Sequence, residues 1–398
     1  MLSLRMQSGL VDHHALGGKF IPPSALVGYK RVLPGEIVMN RMRAAAGLFA
    51  AATSDGLVSP DYAIFRPACH MSVAYAVQLF RTPAMTSVFR LESRGLGTGE
   101  SGFLRLYSDR FGMLPVPFPS SAEQAAIVRF LDWANGRLER AIRAKRKVIA
   151  LLNEQKQAII HRTVTRGLDP SVPLKPSGIP WLGDIPQHWE VRRLKHLAGF
   201  QSGDGITSLH IEATGPFPVY GGNGLRGYTT RYTHNGHYAL IGRQGALCGN
   251  INFAKGQFFA SEHAVVSTLQ SDMSVIWFGE LLRVMNLNQY SQSAAQPGLA
   301  VERIRNLYAP VPPIGEQQTI VESFERNTAP LATAISRLER EIELLREYRS
   351  RLVADVVTGK LDVREAAGRL PDEAPPDPAE DAADLSDETE AADEEAAG

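Results

Sequence analysis

This chain of 398 residues is short of several things, and each shortage narrows the reading. It has only two cysteines, Cys69 and Cys248, too few for a disulfide scaffold or a thiolate metal site and in keeping with a reducing cytoplasm. It has no long apolar run. The longest stretch of apolar residues and glycine, Ala44 to Ala52, is about half of what a membrane-spanning helix needs. Its opening, MLSLRMQSGL, lacks the basic start and apolar core of a secretory signal, so a cytoplasmic protein with no membrane partner is expected. Lysine and arginine vanish from the tail, where Pro371 to Gly398 hold 12 Asp or Glu and no Lys or Arg. The whole chain has 42 basic and 42 acidic residues, so ahead of the tail 42 face 30. A basic body suits a polyanionic partner, and by composition the tail is expected to be disordered. Length and a hydrophobic content of 44% fit two to three globular domains.

The chain also contains a repeat. PFPSSAEQAAIV (residues 117–128) returns as PVPPIGEQQTIV (residues 310–321), 193 residues later. At that offset residues 106–169 align with 299–362 without a gap, identical at twenty of 64 positions. Each copy opens with a Pro-x-Pro run that cannot continue into a sheet interior. A helix then begins at Glu123 and at Glu316, with Ser120 and Glu123 at capping-box spacing. The first helix of each copy is expected to be short, breaking at Ala134-Asn135-Gly136 and at Asn327-Thr328-Ala329, with Pro330 in the first turn of the next. A long helix follows with a heptad seam. In the second copy it reads Ile335, Leu338, Ile342, Leu345, Arg349, Leu352, Val356, and the first copy aligns Ile142, Lys145, Ile149, Leu152, Lys156, Ile159 and Thr163. The cations Lys156 and Arg349 can snorkel from such a position. Two matched seams in one chain are expected to pair with each other, antiparallel.

The regions outside the repeat are glycine-punctuated strands. Gly242-Arg243-Gln244-Gly245 has the composition of a hairpin tip, and residues 273–287 and 73–80 look helical. No catalytic site is assembled. GLGTGESG (residues 95–102) lacks the Lys-Ser/Thr ending of a phosphate loop. Ser59-Pro60-Asp61-Tyr62 departs from an amino-methyltransferase motif at its central residue, and Glu262-His263 has no metal-ligand companion and is expected as a strand-face pair. The remaining candidates are polar side chains that can read or hold DNA: Arg41, Arg43 and Arg94 in the first region, then Arg226, Tyr228, Arg231, Arg243 and Gln244 in the second. Arginine pairs bidentately with guanine and glutamine with adenine when a loop carries them into the major groove. Any one of them also fits a solvated loop charge.

With those residues noted, the chain resembles the DNA-specificity subunits of type I restriction–modification systems. The paired Pro-x-Pro…Glu-Gln…Ile-Val junctions carry the resemblance, together with GIPWLGDIPQHWEVRRLK from Gly178, and it covers nearly all of residues 1–368. It implies an α+β chain with pseudo-twofold symmetry, two α/β target recognition domains joined by two long antiparallel coiled-coil helices. Domains are then expected at 1–116 (recognition), 117–180 (helical spacer and linker), 181–309 (recognition), 310–368 (helical spacer) and 369–398 (acidic tail). It implies a non-catalytic subunit without a cofactor of its own, binding double-stranded DNA and two methyltransferase subunits, joined in some systems by restriction subunits. Glu123, Gln124, Glu316 and Gln317 are the expected docking residues. The lead-in around Trp181–Glu190 has no counterpart ahead of residue 1, so the first recognition domain is expected to lack several tens of residues. A self-contained recognition–methyltransferase enzyme and a coiled-coil scaffold without nucleic acid are the alternatives.

Overall fold

The computed structural model describes residues 1–371, apart from 7, 17–21, 68–69, 97–102, 246 and 292–297. The acidic tail from 372 onward, Cys69 and most of GLGTGESG therefore lie outside the described residues. The chain divides into two units: residues 1–146 with 340–398, and residues 147–339. Each of the two long helices, Ser121–Arg166 and Ile314–Val357, contributes one half to each unit.

In the first unit the strands are β1 (Leu2–Arg5), β2 (Gly9–Asp12), β3 (Lys30–Val32), β4 (Ile37–Asn40), β5 (Phe49–Ala51), β6 (Gly56–Val58) and β7 (Tyr62–Phe65). Helices α1 (Val73–Phe80) and α2 (Pro83–Glu92), the β8–β9 pair (Arg94–Leu96, Phe103–Arg105) and α3 (Ser108–Gly112) lead into α4 (Ser121–Arg166). In the second unit come β10 (Leu174–Pro176), β11 (Asp184–Pro186), β12 (Glu190–Arg193), β13 (Ala198–Ser202), β14 (Phe217–Gly221), β15 (Gly224–Thr229), β16 (His234–Gly242), β17 (Ile251–Ala260) and β18 (Ala264–Leu269). Helices α5 (Val275–Val284) and α6 (Val301–Asn306), then β19 (Tyr308–Val311), lead into α7 (Ile314–Val357), and α8 (Arg364–Gly368) follows as part of the first unit.

Both units repeat one plan. In the first, β4 lies between β5 and β7, with Met39 opposite Phe49 and Asn40 opposite Tyr62. In the second, β16 lies between β17 and β18, with Ile241 opposite Ile251 and Gly242 opposite Ala264. Every one of these partners is displaced by 202 residues (39 to 241, 49 to 251, 40 to 242, 62 to 264). The N-caps of α1 and α5, Ser72 and Ser274, keep that offset, and it falls to 193 at the helical junctions. The first unit therefore carries nine extra residues between its α1 cap and its junction, the stretch that includes α2. The second unit completes a six-stranded sheet, ordered β13-β18-β16-β17-β14-β15. Its core gathers Trp189, Leu194, Leu197, Trp277, Phe278 and Leu281 with Ile160, Val164, Ile320 and Phe324 of the long helices. The core of the first unit gathers Phe49, Tyr75, Phe80 and Phe89 with Ile127, Leu131, Val356 and Val357.

The long helices pair antiparallel within each unit. In the first, Glu139 meets Arg349 at 3.2 Å, and Lys145 meets Glu341; numbers rise on one helix as they fall on the other. In the second, a Cβ at Gly167, just past the end of α4, would lie 2.9 Å from Glu316 in the first turn of α7. The seam holds: Ile335, Ile342 and Val356 are buried and the positions between them half-buried. Lys145, where the other copy has Leu338, is matched by an acid across the pair. The expected helix breaks are absent, because α4 and α7 are continuous through Gly136 and Pro330. A helical glycine costs about 1 kcal/mol and a proline about 3, but buried residues anchor both sides: Leu131 and Ile142 in α4, Phe324 and Ile335 in α7. Pro330 is also exposed, so the carbonyl four residues back, on exposed Arg326, is left to water. Both helices stop at glycines with positive φ, Gly167 at 71° and Gly359 at 76°.

Candidate nucleic-acid interface

The duplicated junction is a buried clamp. Gln317 is 0% exposed and Gln124 1%. Gln317 accepts the backbone N–H of Ser274 at 3.1 Å and donates to the Pro312 carbonyl at 3.1 Å. Gln124 accepts that of Ser72 at 2.7 Å and donates to the Pro119 carbonyl at 2.9 Å. Each serine hydroxyl in turn caps its helix, accepting from Tyr75 or Trp277. One glutamine thus ties the long helix, the proline turn and the head helix together, satisfying backbone groups that would otherwise be buried unpaired. This corrects the expectation that Gln124 and Gln317 dock a partner, since neither side chain reaches the surface. Glu316 is also engaged, accepting from the Trp189 indole at 3.1 Å and facing His188 at 2.8 Å. Glu123, half-buried, lies within electrostatic reach of Arg364 and Tyr75.

In the second unit the polar candidates meet at one end of the sheet. Glycines allow the approach: a Cβ at Gly242 would lie 2.2 Å from the Gly222 carbonyl oxygen, and one at Gly222 would lie 3.2 Å from that of His263 and 3.6 Å from that of Gln244. Around this crossing stand exposed Asn223, Arg226 and Gln244, with Glu262 and His263 3.2 Å apart. The Arg226 stem crosses Gly221, where a Cβ would meet its Cδ at 2.4 Å. Glu262-His263 is accordingly a turn between β17 and β18, not a strand-face pair. Arg243 does not stand at a free tip. The loop runs from Arg243 to Asn250, closed by the Gly242 N–H donating to the Asn250 carbonyl at 2.8 Å. Half-buried Arg243 donates to Ser202 Oγ at 3.1 Å. Tyr228 is half-buried with its backbone paired to Glu212, and Arg231 lies over the Phe259 ring at 5.0 Å. Asn223 escaped the sequence reading because it has no chemical signature of its own, and His263 was weighed there only as a metal ligand; the glycines at 221, 222 and 242 were the available signal.

In the first unit, Arg41 holds the place of Arg243 at the 202-residue offset. Both backbone carbonyls accept from the leucine that opens the aligned repeat, Leu106 and Leu299, at 2.9 Å. The Arg41 guanidinium donates to the Pro60 and Asp61 carbonyls. Asp61 stands among cations: its carboxylate is 3.8 Å from Arg41 and 3.6 Å from Arg105, and Lys30 donates to the Tyr62 carbonyl at 2.6 Å. Burial, then the charge of Arg41, hold the Lys30 amine below the usual lysine range. Exposed Arg94 sits opposite Arg105 in the β8–β9 pair, and exposed Arg43 follows Arg41 by two residues. Lys30 and Arg105, which the sequence did not single out, belong to this cluster. Arg41, Arg105 and Lys30 thus gather around the Asp61 carboxylate, a concentration of positive charge of the kind that suits a phosphate group.

A family model described as the type I restriction modification DNA specificity domain matches residues 186–344. Over that part of its length the chain is similar to such DNA specificity domains. The type I restriction enzyme EcoprrI specificity subunit of Escherichia coli is 45% identical over 155 residues, which are 37% of this chain and 38% of that relative. The chain therefore matches well under two thirds of that relative's length. The MjaIX specificity subunit of Methanocaldococcus jannaschii is 22% identical over 362 residues, covering 84% of this chain and 80% of the relative. A solved structure described as showing complex assembly and conformational transition of the type I R-M system shares the fold, with a TM-score of 0.60, 16% identity, and coverage of 83% of this chain and 84% of that chain. Among the described residues no helix is long and apolar enough to cross a membrane, and no group of three or more His, Cys, Asp or Glu could hold a metal ion.

Proposed function

We propose that the chain is a non-catalytic, cytoplasmic subunit that binds double-stranded DNA at a bipartite site and directs two methyltransferase subunits to it, joined by restriction subunits where the system has them. Each unit reads one half-site, and the chain binds no cofactor itself. The observation that carries this reading is the duplicated plan: the same three-strand register, the same glutamine clamp and the same cap serine recur in both units, mounted on antiparallel halves of two long helices. Two equivalent readers suit a target with two halves and two identical partners. Asn223, Arg226 and Gln244 read base edges in the second unit, and the cluster around Asp61 holds phosphates in the first.

Two measurements on the purified chain test the proposal. Its affinity for duplex DNA is expected to fall steeply with salt, which a coiled-coil scaffold would not show. Incubated with DNA and a labelled methyl donor, the chain alone is expected to transfer no label. Transfer by the chain alone would make it an enzyme and overturn the proposal.

A further inference from the structure

Where the glycine turns of the second unit cross, one side-chain amide sets the direction of another. Gly222 and Asn223 form the turn between β14 and β15, closed by the pair Gly221 and Gly224. Asn250, half-buried, stands just ahead of β17. Its backbone N–H donates to the Leu247 carbonyl at 3.1 Å, and its carbonyl accepts from Gly242 at 2.8 Å. Its side-chain Oδ1 accepts the Ile251 N–H at 3.0 Å. A backbone N–H can only donate, so the oxygen and nitrogen of this amide cannot exchange places. The Asn250 NH2 faces the other way and donates to Asn223 Oδ1 at 3.2 Å. The constraint passes along: Asn223 must give its oxygen to Asn250, which leaves its own NH2 and one oxygen lone pair for a ligand. Asn223 is exposed.

The turn itself does not call for asparagine. Asparagine is common in tight turns because it tolerates positive φ, but here Gly224 supplies that conformation at 99°, and among the described residues Asn286 is the one non-glycine residue that adopts it. The turn is also held from below. A Cβ at Gly224 would lie 3.1 Å from Asn252 Oδ1, and one at Gly222 3.2 Å from the His263 carbonyl oxygen. An amide fixed before its ligand arrives has less ordering cost to meet on binding. At the 202-residue offset Asn250 falls on buried Leu48, which has no amide to offer, so the device belongs to the second unit.

We propose that Asn250 is a positioning residue that fixes Asn223 with its NH2 outward, and that Asn223 so held reads an adenine of the second half-site. An amide showing a donor beside an acceptor is the complement of adenine N7 and the adenine N6 amino group in the major groove. Guanine shows two acceptors there and cytosine a donor, so either leaves half of the amide unmatched. The inference rests on the DNA-reading role proposed above and adds which base is read and which residue sets the choice.

The test starts from the target that the full chain selects from random duplex DNA. Asn223→Ala is expected to relax preference at one position, where the unaltered chain requires A·T. Replacing that adenine by 7-deaza-adenine, which lacks the N7 acceptor, should weaken the unaltered chain by about tenfold or more and leave Asn223→Ala unaffected. Asn250→Asp gives a readout that a merely structural role would not move. Its carboxylate still accepts the Ile251 N–H but cannot donate, so Asn223 turns its NH2 inward and its oxygen outward. Preference for adenine over 7-deaza-adenine should then vanish. Each comparison is a ratio of affinities within one protein, so a partly unfolded sample or the added charge cancels. An Asn250→Asp chain that still discriminates overturns the proposal, as does Asn223→Ala relaxing a G·C pair or no position at all. A chain without any sequence preference overturns the functional reading and this inference with it, whereas specific binding indifferent to Asn223 overturns this inference alone.

Discussion

Replacing Gln317 with methionine isolates the clamp. The side chain keeps its length and remains buried, but both hydrogen bonds go. The Ser274 N–H and the Pro312 carbonyl, each 3.1 Å from the glutamine amide, then have no partner and no water. An orphaned buried group costs about 1–3 kcal/mol, so the pair is expected to cost about 2–6 kcal/mol. That is a large part of the roughly 5–15 kcal/mol by which domains are stable. Urea unfolding followed by tryptophan fluorescence suits the measurement, because Trp181, Trp189 and Trp277 all belong to the unit of residues 147–339, whereas Trp133 belongs to the other. Gln317→Met should lower the midpoint of the main fluorescence transition without changing its slope. Exposed Gln318→Met is the control, expected to stay within about 0.5 kcal/mol. A Gln317→Met chain as stable as the control, yet unable to assemble with methyltransferase subunits, would refute the clamp and restore the docking role.

Three further outcomes follow from the same structure. Lys30→Ala and Arg105→Ala should each weaken binding to all DNA sequences alike and lower the salt slope by about one, whereas Gln244→Ala should cost about 1–3 kcal/mol at one position of one half-site; the reverse pattern in affinities for single-base variants would mean the two surfaces are misassigned. One heptad inserted into each long helix should lengthen the unspecified spacer of the target and leave both half-sequences unchanged, as read from methylated sites; altered half-sequences would show that seam and heads are not separable. Finally, the guanidinium of Arg364, then its backbone N–H, hold the Asp362 carboxyl well below its ordinary 3.8, at about 2. A folded-state value below the unfolded one stabilises at pH above 3.8 and loses that contribution as pH falls toward 2. An NMR titration should find the midpoint near 2 and see it rise in Arg364→Ala, and an unmoved midpoint would contradict the pairing.

Much of this architecture was legible in the sequence because it is written in local chemistry. The Pro-x-Pro…Glu-Gln junctions, the seams from Ile142 and Ile335, and α1 at Val73–Phe80 all follow from caps, prolines and periodicity. The second layer of the repeat was not legible, since comparison at the single offset of 193 loses the heads, which align at 202. Strand register, not identity, reveals it: between β4–β7 and β16–β18 few residues are shared beyond Arg41 and Arg243, Gly47 and Gly249, and Ser59 and Ser261. The helix breaks were misread because Gly136 and Pro330 weigh against local helix while packing on both sides outweighs them. Gln124 and Gln317 were misread for a related reason. A polar residue in a helix's first turn suggests a surface, and only the Ser72 and Ser274 N–H groups, contributed by residues 52 and 43 positions away, show that it is buried. Arg243 looked like a tip because Gly242 and Gly245 flank it; Ser202, on β13, holds it in the fold.

Selection of random duplex DNA by the full chain tests the central claim most directly. The account predicts that the recovered sequences share two short defined blocks separated by a spacer of constant length and no sequence of its own. Recovery without sequence preference, or of a single uninterrupted block, would contradict it.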